Sequence, residues 1–104
     1  LQWLIDSRAE AAYRDVAKLR LGGLLIESKQ YEQAIQLLSS DISPSFKALA
    51  ADRIGDAYSL QGKTAEAKAQ YETAYRELPI TTDYRKMVEV KLIKLGAAPK
   101  EDAS

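Results

Sequence analysis

Asp52 and Asp56 stand four residues apart, so a helix through them puts both carboxylates on one face. Paired carboxylates can divide acid and base roles between them. Nothing in the chain accompanies them in such work. The 104 residues include no Cys and no His, which removes thiolate and imidazole metal ligands, Cys nucleophiles and His-based triads together. Neither a metal nor a cofactor is expected. Arg53 adjoins Asp52, and Arg20 lies 33 residues before Arg53. Surface ion pairing accounts for the two aspartates better than catalysis does, and the chain is read as a non-enzyme.

Fifteen basic and fifteen acidic side chains cancel, and no basic stripe stands out. Nucleic acid is therefore not an expected partner, and the six tyrosines fall mostly at helix-packing spacings rather than on a charged platform. The absence of Cys fits oxidising and reducing compartments alike. Apolar runs are only a few residues long, too short to span a membrane. The chain opens at Leu1 in mid-pattern, as a piece of a longer protein would.

The carboxylates sit within the most informative stretch, Ala51 to Pro79. Its key residues are Ile54, Gly55, Tyr58, Gly62, Ala67, Tyr71, Ala74 and Pro79. Ile54-Gly55, the aromatic three residues after the glycine, Ala67-x3-Tyr71 and the closing proline match the tetratricopeptide signature in order and spacing. Ala51 departs from it, standing where the pattern has Trp. Two antiparallel helices approach closely only where facing residues are small. Gly55 and Ala67 are expected to form that crossing, with Tyr58 and Tyr71 filling the space beside it. Gly62 suits the left-handed residue that closes a helix, Thr64 is the expected cap of the next, and Pro79 stops it.

The same unit recurs upstream in weaker form. Gly22, Leu21 and Ala34 each precede Gly55, Ile54 and Ala67 by 33 residues, and Leu38 falls opposite Tyr71. Lys18, Leu25 and Lys29 depart from the signature at the Trp, Tyr and Gly positions. The sequence predicts an all-α stack of two helical hairpins plus a capping helix. The hairpins are Ser7–Ser28 with Tyr31–Ser39 and Pro44–Leu60 with Thr64–Leu78; the cap is Thr82–Leu95, closed by Gly96. Ser7 and Glu10 read as a capping box, with Leu1–Ile5 a separate stub broken off at Asp6-Ser7. Ser43 before Pro44 reads as a cap, and Tyr84, Met87, Val88, Lys91, Leu92 and Leu95 as the inward stripe of the last helix. The repeat domain is expected over 1–96 and a flexible tail over 97–104.

Across its length the chain resembles the tetratricopeptide-like domain of the YfgM-like ancillary subunit of the bacterial Sec translocon. The segments that carry the likeness are Val16 to Leu25, Ala51 to Asp56, Gln61-Gly62-Lys63 and Met87 to Leu92. The resemblance implies a protein with one amino-terminal membrane span, absent from these residues, and a periplasmic repeat domain. It implies partners among translocon subunits, periplasmic chaperones and unfolded secretory clients. The competing expectation is a cytosolic repeat scaffold in a multiprotein assembly. Tetratricopeptide arrays usually bind on the inner face of their first helices. The register places Leu19, Arg20, Gly23, Ile26, Asp52, Asp56 and Ser59 there, with Val16 beside them. Exposure of Trp3, Leu4, Val16 and Leu19 leads to the further expectation of self-association through the amino-terminal end.

Overall fold

The computed structural model describes residues 2–78 and 83–96, with side chains from residue 9 onward. Five helices follow in order: α1 (Gln2–Glu27), α2 (Tyr31–Ser39), α3 (Lys47–Leu60), α4 (Thr64–Glu77) and α5 (Asp83–Lys94), with a 3-10 turn, Pro44–Phe46, leading into α3. No strand occurs among the described residues. α1 pairs with α2 and α3 with α4, and α5 lies against α4. This is the expected all-α hairpin stack.

Both hairpin turns close in the same way. In the second, Gly62 takes a φ of 78°, its N–H donates to the Ser59 carbonyl, and the Lys63 N–H donates to the Tyr58 carbonyl. In the first, Lys29 takes a φ of 65°, with the Lys29 N–H donating to Ile26 and the Gln30 N–H to Leu25. These are paired Schellman closures. The degenerate unit keeps the turn although Lys stands where Gly would be free of strain.

The equivalent glycines also meet equivalent neighbours. A Cβ at Gly22 would lie 2.8 Å from the Leu38 side chain, and one at Gly55 would lie 2.6 Å from the Tyr71 ring. At the expected crossing both Gly55 and Ala67 are buried, and Tyr71 takes a larger part in it than expected. Ala67 is fully buried, but the group seated over Gly55 is the tyrosine ring, which needs the space a Cβ would take.

Two apolar clusters result. Leu19, Leu38, Ala50 and Ile54 join α1, α2 and α3; Ala51, Ala67, Tyr71, Ala74, Tyr75, Val88 and Leu92 join α3, α4 and α5. Tyr58 packs against both. Leu21, paired by spacing with Ile54, is 48% exposed. Ile54 is buried by the unit before it, and no described element stands before α1 to do the same for Leu21. Met87, expected on the inward stripe of α5, is exposed; Val88 and Leu92 carry that contact.

Three local boundaries differ from expectation. α1 runs unbroken through Asp6-Ser7, since helix formers follow directly and the intrinsic penalty of Asp and Ser is only a few tenths of a kcal/mol. Thr64 is the first helical residue rather than the cap, and no side chain caps α4. Ser43 precedes the 3-10 turn without a hydroxyl bond to it. Its N–H instead donates to Asp15 Oδ2 at 3.2 Å. Asp15 is buried, and Lys18 one turn on donates to the Asp41 carbonyl at 2.6 Å. These α1 side chains hold the loop where α2 ends early. Pro79, Thr81, Thr82 and the tail 97–104 lie outside the described residues, as do the side chains of Trp3 and Leu4.

Candidate protein-binding site

α1 and α3 lie side by side, each the first helix of its hairpin, and a cleft of about 450 Å³ opens between them. From α1 it is lined by Leu19, Arg20, Gly23, Leu24, Ile26 and Glu27; from α3 by Arg53 and Asp56. Five of the residues expected on this face therefore line one cleft: Leu19, Arg20, Gly23, Ile26 and Asp56. Leu19 forms its floor at 6% exposure, because its side chain reaches the core with Leu38 and Ile54. The expectation that Leu19 is bared is corrected by that contact. Ser59 is half-buried and does not line the cleft.

Asp52 is not on this face. It is 2% exposed and turned towards α5. Lys91 Nζ lies 2.9 Å from Asp52 Oδ1 and 3.1 Å from Asp56 Oδ1. Tyr84 donates its hydroxyl proton to Asp52 Oδ2 at 2.6 Å, and Tyr71 donates to Asp56 Oδ1. The expected surface pairing of these aspartates with Arg53 and Arg20 is therefore overturned. Their cation stands on another helix, 39 residues from Asp52. Burial pushes both tyrosine hydroxyls up, and the bonds to Asp56 and Asp52 push them further. Burial alone would lower Lys91, but the hydrogen bond and charge of Asp52, with those of Asp56, outweigh it and raise the ammonium. Bonded in this way, the two carboxylates tie α5 to α3.

Removing Asp56 to that network leaves the cleft with Arg20 and Arg53 near one end and Glu27 near the other. Leu24, 58% exposed, stands between them. The sequence reading missed Leu24, Glu27 and Arg53 as lining residues. The signal for Arg53 was its 33-residue spacing from Arg20, which places the two at equivalent points of parallel helices. Among the described residues no group of His, Cys, Asp and Glu is placed to hold a metal ion, and no helix is long and apolar enough to cross a membrane.

Stacked antiparallel helical hairpins with a lined inner face define a helical-repeat protein. The chain matches the tetratricopeptide repeat-like domain family over residues 1–97 and belongs to it. It is also 28% identical over 95 residues to the ancillary SecYEG translocon subunit of Neisseria gonorrhoeae (strain ATCC 700825 / FA 1090). The match covers 91% of this chain and 46% of the relative, so the chain spans about half of that protein's length. No solved structure matches it.

Proposed function

We propose that this chain is the non-catalytic protein-binding domain of a translocon-associated adaptor. It is tethered to the bacterial inner membrane by a segment outside these residues and faces the periplasm with a chaperone-like role. The observation that carries this reading is the match over 91% of the chain to an ancillary translocon subunit. The cleft between α1 and α3 supplies the contact surface, with Leu19, Arg20, Gly23, Leu24, Ile26 and Arg53 as its working residues. Helical-repeat arrays present such extended faces to partner segments. The partners are translocon subunits, periplasmic chaperones and secretory clients. The test is twofold. The full-length protein, tagged in its own host, should co-purify translocon subunits from detergent-solubilised membranes, and external protease should reach the repeat domain in spheroplasts but not in intact cells. Co-purification of cytosolic assemblies only, or protection in spheroplasts, would contradict it.

A further inference from the structure

The glycines of α1 and α3 fall into two kinds. Gly22 and Gly55 are demanded by packing, since a Cβ at either would press within 3 Å of Leu38 or Tyr71. Gly23 is not. The nearest atom to a Cβ there is Arg53 Nη1 at 3.7 Å, an ordinary contact. A glycine inside a helix destabilises it relative to alanine, so Gly23 weakens α1 with no return from packing. What it does is let the Arg53 guanidinium rest directly over the α1 backbone in the middle of the cleft.

Arg53 is itself unusual. It is half-buried, its Nε is shielded from solvent, and it has no hydrogen-bond or ion-pair partner among the described residues. A partly desolvated guanidinium without a carboxylate lacks the group that offsets its lost hydration. Asp56 shares the cleft but is already held by Lys91 and Tyr71. Arg20 sits at the equivalent point of α1, exposed and also unpaired among the described residues. Resting on the groove reading above, we infer that this cleft receives an acidic side chain carried within an aliphatic segment of a partner protein.

The carboxylate meets the guanidinium where it rests beside Gly23 and takes paired hydrogen bonds from it, the geometry that makes Arg–carboxylate contacts strong. Leu24 and Ile26 accept aliphatic neighbours, which suits a side chain inside a segment rather than a chain terminus. Glu27, two turns from Arg20 and about 10 Å along α1, repels acid at the far end and so favours the carboxylate near Arg20 and Arg53.

The experiment uses the 104-residue chain and short fluorescein-labelled Leu/Ala peptides with one central Glu or, in the control, Gln. Fluorescence anisotropy should show the Glu peptide binding about tenfold or more tighter, the scale of a charge-assisted bond. Arg53→Gln should erase that preference with helicity unchanged. Gly23→Leu should block both peptides without lowering the melting temperature. Equal binding of the two peptides, still blocked by Gly23→Leu, would overturn the acidic preference while leaving the groove standing. Binding that Gly23→Leu does not affect, or no binding of either peptide, would overturn the groove reading and this inference with it.

Discussion

Asp52→Ala should be among the most damaging substitutions in the chain, although Asp is usually a surface residue. The carboxylate is 2% exposed and takes two bonds from Lys91 and one from Tyr84. Deleting one partner of a buried pair costs about 3–5 kcal/mol. The Lys91 side chain is 29% exposed, so water screens part of the loss and the low end of that range applies. With the Tyr84 hydroxyl also left without its acceptor, a total near 3 kcal/mol follows, on the order of a third of a small domain's stability. Guanidinium unfolding followed by circular dichroism should register that loss, and the melting temperature should fall by about 12 °C or more. Asp52→Asn keeps an acceptor for Tyr84 and should lose less. Adding Lys91→Met to it should cost more again, since Asp56 then also loses its cation. If Asp52→Ala changes stability by less than about 0.5 kcal/mol, the surface value, the buried network is wrong.

Other consequences are independent of that one. Gly55→Ala should destabilise by about 1–3 kcal/mol, because the new Cβ would lie 2.6 Å from the Tyr71 ring, whereas Gly23→Ala should stabilise by about 0.5–1 kcal/mol; chemical denaturation compares the two. Lys29→Gly should stabilise by about 0.5–1 kcal/mol by relieving a left-handed lysine at φ 65°, and a drop in its midpoint would contradict the closure described for α1. The native state holds protons on Tyr71, Tyr84 and Lys91 more tightly than the unfolded chain does, so stability is intact below about pH 10 and falls as pH rises beyond it. A pH titration of the unfolding midpoint should show that fall, and Tyr84→Phe should make it shallower. Tyr13, Val16 and Leu24 leave α1 with exposed apolar surface, and sedimentation velocity should show association with rising concentration that Tyr13→Lys reduces.

Much of this was legible in the sequence for a physical reason. A repeat writes its packing twice, so Gly22 with Leu38 and Gly55 with Tyr71 each testify to the other at one spacing. That spacing also placed Gly23 and Arg20 on the inner face. What stayed hidden depended on contacts far apart along the chain. Asp52 looked like a surface residue because Arg53 is its neighbour, while its true cation is Lys91 on α5. Asp15 carried no local signal at all, since its partner is a backbone N–H 28 residues away. Asp6-Ser7 misled in the opposite sense: a capping pattern is a local preference, and a long helix overrides it for a few tenths of a kcal/mol.

The central claim is that partners seat between α1 and α3. A photoreactive amino acid placed at Leu24 in the full-length protein, with a matched probe at the exposed Gln36 on α2, tests it in living cells. Irradiation should yield adducts with translocon subunits or periplasmic proteins from Leu24 and few from Gln36. Adducts from Gln36 alone, or from Leu24 to cytosolic proteins only, would contradict it.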